Sequence, residues 1–206
     1  MENLDFLSVY TIGYHSPSSE PDSAMHHAPL LKPAWDTSNG YADFAVKSWI
    51  AKGVSPDKIV LGIPLFGYTW KLSPTNNFDP PVSALGPGVS GVAGEKGILA
   101  YYDICYAVLT AGWKVFPDPS GVMGPYAVSP SNPRTWVGYD DPAMAITKTQ
   151  YVRNNSLGGV MVWDLSYDDF RDTCGKGANP ITNAISDTLK GLNDDTVIGF
   201  CECICD

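Results

Sequence analysis

The chain has 206 residues, of which 44% are apolar and 17% are charged, a composition typical of a folded globular protein rather than a disordered one. The net charge is -9 and the 13 basic side chains form no cluster, so we expect no nucleic-acid partner. No apolar run reaches the roughly 18 residues of a membrane-spanning helix, so we also expect no membrane partner.

The N-terminal segment carries no recognisable targeting signal. Residues 1–5 contain no basic side chain, and no cleavage-site pattern follows them. The sequence therefore predicts either an intracellular protein or a chain whose native start lies upstream of Met1.

The N-terminal third follows the pattern of a parallel α/β unit. Residues 4–12 and 58–65 are predicted to be buried strands, because both are dominated by apolar side chains. Residues 41–52 are predicted to form a helix, since apolar side chains recur on one face and a glycine follows. Residues 16–39, rich in Ser, Pro and Asp, are predicted to be a loop. A strand–helix–strand order is the repeat unit of a parallel sheet.

The pattern changes between residues 69 and 142. Glycine, proline and short alternating runs dominate this stretch, with one predicted helix near residues 99–111. Residues 114–116, 125–128 and 134–139 are candidate strands. This order predicts a small α+β insertion between two parallel strands.

Two helices with the same start signal flank the last predicted strand. Asp141 followed by Pro142 predicts an N-cap and a first helical residue, for a helix that runs to about residue 155. An apolar strand then ends at Trp163. Asn179 followed by Pro180 predicts in the same way an N-cap and the start of a final helix, which a glycine ends.

Three of the five cysteines lie in the C-terminal tail, at Cys201, Cys203 and Cys205. Thiolates are metal ligands, but this spacing is tighter than the C-x-x-C pairs of structural zinc sites, and no histidine follows His27. We expect no metal and no cofactor, and interpret the tail as a disulfide-rich or frayed end.

The run G-G-V-M-V-W-D-L-S-Y-D-D-F at residues 158–170 places a large aromatic ring at the tip of an apolar strand. It resembles the last barrel strand of glycoside hydrolase family 18, the chitinases and chitinase-like lectins. Residues 4–9 resemble the entry to the family's sixth strand, and residues 58–67, K-I-V-L-G-I-P-L-F-G, resemble the seventh. Residues 97–105 resemble a helix opening inside the family's insertion domain. The resemblance covers residues 4–192.

The resemblance implies an α/β fold, a partial TIM (β/α)8 barrel with the equivalents of strands 6–8 and an inserted α+β domain. The predicted ranges are residues 1–70 for the first part of the barrel, 71–138 for the insertion, 139–192 for the return to the barrel and 193–206 for the cysteine-containing tail. A full barrel takes about 250 residues, and three parallel strands leave two open edges. We therefore hypothesise that this is the C-terminal part of a longer chain, with the N-terminal part of the barrel as a partner.

The chemistry that the resemblance implies is incomplete in this chain. The family's acid motif, D-x-x-D-x-D-x-E, is absent, and general-acid help contributes about 10²–10⁴-fold to the rate. The M-x-Y-D end of the sixth strand corresponds to residues 10–13, where Ile12 and Gly13 replace the tyrosine and aspartate. We therefore expect no catalytic residue here and predict a protein that binds chitin or N-acetylglucosamine oligomers without hydrolysis.

Two alternatives stay open. The chain is the C-terminal part of an active chitinase whose acid lies upstream of Met1, cutting β-1,4 N-acetylglucosamine links with help from the substrate's own N-acetyl group. Otherwise it keeps only the scaffold and has an interaction or storage role.

Four residues are candidates for sugar binding by this resemblance. Trp163 would stack beneath a sugar, or would be a core tryptophan that fills the barrel. Tyr10 would offer a ring to the cleft, or would block it. Phe66 stands where the seventh strand often has tyrosine, next to Tyr68, where it often has arginine. Asp103 matches an acid of the insertion domain that lines the cleft, or is an exposed helix acid.

Two of the cysteines also match positions of the family. Cys105 and Cys174 correspond to a pair that is bridged in secreted relatives, so the resemblance implies a disulfide between them. A disulfide would place maturation in an oxidising compartment and the protein outside the cell.

Overall fold

The computed structural model describes residues 4–92, 94–118 and 120–193. The strands, numbered in chain order, are β1 Leu7–Val9, β2 Ser23–Ala24, β3 Ile59–Pro64, β4 Phe66–Leu72, β5 Val82–Pro87, β6 Ile98–Ala100, β7 Lys114–Phe116, β8 Tyr126–Val128, β9 Thr135–Tyr139 and β10 Gly159–Trp163. The helices are α1 Ala42–Ala51, α2 Tyr101–Thr110, α3 Pro142–Asn154 and α4 Pro180–Leu189. None of these helices is long and apolar enough to cross a membrane. The predicted cysteine tail lies outside the described residues.

The first sheet has three parallel strands in the order β1-β3-β10. Its register places Leu7 opposite Ile59, and Trp163 opposite Pro64. One face of this sheet carries an apolar cluster in which Val9 and Leu61 pack with α1 and α3 side chains such as Val46. The predicted strand–helix–strand unit is therefore present, and its helices cover this face.

The opposite face of the parallel sheet is much more open. Side chains alternate between faces along a strand, and Val160 and Val162 of β10 pack against the apolar clusters. Met161 and Trp163 therefore point to the other face, as do Ser8 and Tyr10 in and just after β1. Parallel sheets are normally buried on both faces, so this exposed apolar face is unusual for the class.

The second sheet is antiparallel and has seven strands in the order β2-β5-β4-β9-β8-β7, with β6 also paired to β4. Its centre is the β4–β9 pair, where Trp70 lies opposite Trp136 and both are fully buried. The sheet begins at Phe66, a single residue after β3 ends, and recruits Ser23–Ala24 from the predicted loop. The sheets therefore do not follow the predicted ranges at every point, and the division into domains stays a prediction.

The two predicted N-caps have different outcomes. The Asp141 side chain accepts a hydrogen bond from Met144 N, as predicted. Asn179 is the N-cap residue of α4 and Pro180 follows it, as predicted, but Asn179 has a φ of 56° and its side chain makes no capping hydrogen bond. The buried carboxylate of Asp168 takes the capping role instead, accepting from Ile181 N at 3.3 Å and from Thr182 N at 2.8 Å.

A disulfide joins α2 to the segment after β10. Cys105 and Cys174 are bonded, with their Cα atoms 5.2 Å apart, so the disulfide that the resemblance implied is present. Next to it, the Asp169 carboxylate accepts from Thr173 N and Cys174 N. Both contacts fix the path of the chain between β10 and α4.

Candidate functional site

Trp163 and Tyr10 lie together at the carboxyl edge of the parallel sheet. Trp163 ends β10 and Tyr10 directly follows β1, and carboxyl ends of parallel strands meet at one edge. Their ring centroids are 5.8 Å apart at an interplanar angle of 84°, an edge-to-face arrangement. Trp163 is 51% exposed and Tyr10 is 50% exposed. The two rings therefore form an accessible aromatic pair, which we call the edge pair.

Backbone contacts hold the Trp163 ring at this edge. The Trp163 carbonyl accepts from Leu65 N at 2.9 Å, and the Leu65 carbonyl accepts from Tyr101 N at 3.0 Å. Asp164 then starts the short 3-10 helix Leu165–Tyr167 by accepting from Ser166 N. The ring is thus presented by a strand end that is tied to β3 and, through Leu65, to α2.

Tyr68 is a further residue of the site, and it was not among the predicted binding residues. Its hydroxyl would be 3.8 Å from a Cβ atom added at Gly13. Burial raises the pKa of Tyr68, with the charge of Glu95 as a smaller cause. Burial also raises the pKa of Tyr10, with Tyr68 as a smaller cause, so the phenol of Tyr68 lies near that of Tyr10 in the edge pair and both are neutral. The sequence signal that could have identified Tyr68 is its position two residues after Phe66, because residues two apart lie on the same face of a strand.

The positions that the resemblance assigns to tyrosine and aspartate carry no polar side chain in this chain. Ile12 is buried. Gly13 has a φ of 76°, in the left-handed region that disfavours residues with a Cβ atom. The groups that would hold an N-acetyl substituent are therefore missing at these two positions.

Phe66 lies behind the edge of the site rather than on its surface. It is 4% exposed, and its ring is 4.9 Å from His27, 5.3 Å from Tyr68 and 6.2 Å from Tyr167, measured between centroids. In this position it supports the aromatic wall from within. A direct role of Phe66 in binding stays a prediction.

The half-buried carboxylate of Asp103 is turned toward the chain's own backbone. It accepts from Ala100 N at 3.2 Å, which closes the first turn of α2, and from Val92 N at 3.3 Å. Burial raises its pKa, while these two backbone hydrogen bonds oppose the rise. These contacts give Asp103 a structural role, and a contact with a ligand stays a prediction.

A second aromatic concavity adjoins Asp103. It has a volume of about 330 Å³ and is lined by Val92, Tyr102, Asp103, Tyr106, Asp169, Phe170, Arg171 and Thr173. Tyr102 and Phe170 meet edge to face at 6.0 Å, and the Arg171 guanidinium lies 5.0 Å from the Phe170 ring. This concavity lies between α2 and the segment that the disulfide fixes.

A buried polar cluster lies beneath the long loop between β1 and α1. Lys148 of α3 donates to Asp140 and to the carbonyl of Ala28. His26 donates from Nε2 to the Tyr139 carbonyl at 3.1 Å and accepts at Nδ1 from Ala28 N. Burial lowers the pKa of His26 to about 3 and raises that of Asp140 to about 6. The cluster anchors the loop.

Three acidic side chains that follow β10 bind the chain's own residues. Asp168 and Asp169 are fully buried and accept backbone hydrogen bonds, and Asp164 accepts from Ser166. Within the described ranges, no group of three or more His, Cys, Asp or Glu side chains is placed to hold a metal ion. The arrangement offers aromatic faces and neutral hydroxyls, which suit an uncharged ligand with apolar faces.

Comparison with known proteins gives one consistent result. The sequence profile described as "Glycosyl hydrolases family 18" matches residues 1–168. "Probable chitinase 10" of Drosophila melanogaster is 34% identical over 193 residues, covering 92% of this chain and 8% of that protein. The crystal structure of Ostrinia furnacalis Group II chitinase catalytic domain 2 has a TM-score of 0.86 and 36% identity, covering 92% of this chain and 49% of that one. A mutant of that domain has been solved with a (NAG)5 ligand.

Another solved structure comes from a protein described as a pseudo-chitinase. Human YKL-39, "a pseudo-chitinase with retained chitooligosaccharide binding properties", has a TM-score of 0.83 and 34% identity, covering 92% of this chain and 51% of that one. The present chain thus spans about half the length of these solved structures and a smaller share of the Drosophila protein.

Proposed function

Because the chain belongs to glycosyl hydrolase family 18, we propose that it is a chitinase-like protein that binds N-acetylglucosamine oligomers and does not hydrolyse them by itself. The observation that carries this proposal is the edge pair, two half-exposed aromatic rings at the carboxyl edge of the parallel sheet. Ligands of α/β folds bind at this edge. The solved relatives that hold or bind chitooligosaccharides support the choice of ligand.

The chemistry of the edge pair suits a sugar ring. One face of a β-linked pyranose is lined with C–H groups, which pack against an aromatic face, and such contacts contribute about 0.5–1.5 kcal/mol beyond the area they bury. The neutral hydroxyls of Tyr10 and Tyr68 can donate to and accept from sugar hydroxyls. An uncharged site of this kind favours a neutral glycan over an ionic ligand.

Several residues around the edge pair support the proposed absence of hydrolysis. A general acid must carry a proton and reach the leaving oxygen. Asp103, Asp168 and Asp169 accept hydrogen bonds from the backbone instead. Ile12 and Gly13 cannot orient an N-acetyl group through side-chain hydrogen bonds.

We propose in addition that the parallel sheet is the last part of a TIM barrel, with the antiparallel sheet as its insertion. The exposed face of β1-β3-β10 and its two free edges support this, because parallel sheets are normally covered on both faces. The N-terminal strands of a longer polypeptide would then cover the face that carries Met161. The predicted ranges 1–70, 71–138 and 139–192 describe this division.

The proposed location is extracellular. Disulfides persist in oxidising compartments, and the Cys105–Cys174 disulfide supports maturation in one.

Titration with an N-acetylglucosamine pentamer, followed by calorimetry, tests the proposed binding. Trp163→Ala should weaken binding about tenfold, equivalent to about 1.4 kcal/mol, because the sugar loses its aromatic floor. Trp49→Ala is the matched control, since Trp49 lies on α1 beside Lys52 and away from the edge pair. Absence of binding by the unaltered protein, or equal affinity of the Trp163→Ala variant, contradicts the proposal.

The alternative, an active chitinase, is favoured by the similarity to a chitinase catalytic domain. It requires an upstream segment that supplies the acid, and Ile12 and Gly13 count against it. Release of shorter oligomers from the pentamer by a polypeptide that includes such a segment would establish this alternative and overturn the non-hydrolytic proposal.

A further inference from the structure

The turn between α3 and β10 carries the single N-x-S/T sequence of the chain, Asn154-Asn155-Ser156. This pattern is the acceptor signal for N-linked glycosylation. Asn154 is the last residue of α3, and all three residues of the signal are exposed. Ser156 has a φ of 50°, which turns the chain sharply before β10 begins.

The two asparagines of the signal differ in their contacts. The Asn155 side chain donates to the carbonyl of Tyr151 at 2.9 Å and so extends the hydrogen bonding of the helix. The Asn154 amide makes no hydrogen bond to any residue that the structure describes, and its nitrogen is accessible. The acceptor asparagine is therefore the one of the two whose side chain is available for modification.

The turn lies at the opposite end of β10 from the edge pair. Gly159 starts the strand and Trp163 ends it. Four steps of about 3.3 Å each separate the two end residues by roughly 13 Å. A glycan on Asn154 would thus project from the amino edge of the parallel sheet and leave the carboxyl edge open.

We propose that Asn154 is an N-linked glycosylation site. The disulfide between Cys105 and Cys174 supports passage through the oxidising compartment in which this modification takes place. The Asn154 amide nitrogen attacks the anomeric carbon of a lipid diphosphate-linked oligosaccharide, which a membrane-bound transferase presents. A C–N bond forms, the C–O bond to the diphosphate breaks, the lipid diphosphate leaves with the bonding electrons, and the amide proton passes to a base of the transferase.

Peptide mapping of the disulfide-bonded native protein tests the site. An amidase that removes N-linked glycans converts the carrier asparagine to aspartate, so mass spectrometry should find aspartate at position 154 after treatment and asparagine at position 155. Untreated protein should migrate more slowly on a gel than treated protein. Recovery of position 154 entirely as asparagine after treatment overturns the proposal.

Variants made in a secreting eukaryotic cell separate the signal from the local fold. Asn154→Gln and Ser156→Ala should both remove the mobility difference. Asn155→Gln is the matched control and should keep it, as should Ser156→Thr, which preserves the acceptor signal. Loss of the mobility difference in Asn155→Gln but not in Asn154→Gln would contradict the assignment. Affinity for the pentamer should be unchanged by removal of the glycan, so this test and that of the proposed function fail independently.

Discussion

His26 and His27 show how far burial decides the charge of single residues in this protein. Both are fully buried, and burial lowers the pKa of each, to about 3 for His26 and well below the ordinary value of 6.5 for His27. Asp140 is shifted in the opposite sense, because burial raises its pKa to about 6. The folded protein therefore keeps two histidines neutral where the unfolded chain would protonate them.

The stability of the fold should rise with pH between about pH 4 and pH 6. In this range the unfolded chain binds protons at His26 and His27 that the folded protein does not, while the folded protein binds more protons at Asp140. Because two groups favour the rise and one opposes it, the free energy of unfolding should have a positive slope with pH. Urea unfolding at a series of pH values measures this slope.

The control variants for that measurement differ in burial. His26→Gln removes one of the two buried histidines and should reduce the slope. Lys190→Gln, on the exposed end of α4, should leave it unchanged. A slope of opposite sign in the unaltered protein would show that Asp140 outweighs the histidines.

Single residues of the candidate site were predicted from the sequence to different extents. Trp163 was placed at a strand tip because an apolar run ends there, and the strand does end at that residue. Nothing in the local pattern indicates that the Asp103 carboxylate turns back to Val92 or that Phe66 is buried, because both facts depend on chain segments distant in sequence. Tyr68 was missed as a site residue for the same reason.

At the level of elements, most helices and strands were predicted to within two or three residues. The helix predicted at 41–52 is Ala42–Ala51, and the strand predicted at 114–116 is Lys114–Phe116. The side chain that caps α4 could not be predicted, because the capping carboxylate belongs to Asp168, 12 positions before Pro180. The side chain of a local N-cap residue such as Asn179 competes for the free N–H groups of the helix with side chains that only the fold brings near.

Helix α4 should depend strongly on this distant cap. Asp168→Ala would leave the buried N–H groups of Ile181 and Thr182 without their acceptor, so we expect a loss of about 3 kcal/mol in the free energy of unfolding. Asp187→Ala, at a half-exposed position of the same helix, is the control and should change it by less than about 0.5 kcal/mol. Urea unfolding measures the free energy of unfolding of both variants. An equal loss in Asp168→Ala and Asp187→Ala would show that the Asp168 cap does not stabilise α4.

At the scale of the whole molecule, β1 and β10 each pair with β3 alone among the residues that the structure describes, and one face of this sheet is open. Free strand edges pair with other chains. The chain by itself should therefore self-associate with rising concentration, which sedimentation velocity measures. A compact monomer at every concentration, with a single cooperative melting transition, would contradict the proposal that further strands complete the sheet.

A charge on the exposed face should weaken this association. Met161→Lys places an ammonium group on the open side of β10, where an approaching apolar surface would have to desolvate it. Leu85→Lys is the control, because Leu85 is exposed on β5 in the antiparallel sheet. Equal association of the two variants would locate the contact elsewhere.

Leu65 connects the parallel sheet directly to the antiparallel sheet. It is the single residue between β3 and β4, its amide is fastened to Trp163 and its carbonyl to Tyr101 at the start of α2. The backbone groups of Leu65 that bind Trp163 are therefore next to those that position the start of α2 and of the antiparallel sheet. We therefore expect a ligand bound at Trp163 to restrain the start of the antiparallel sheet as well, because a single residue separates β3 from β4.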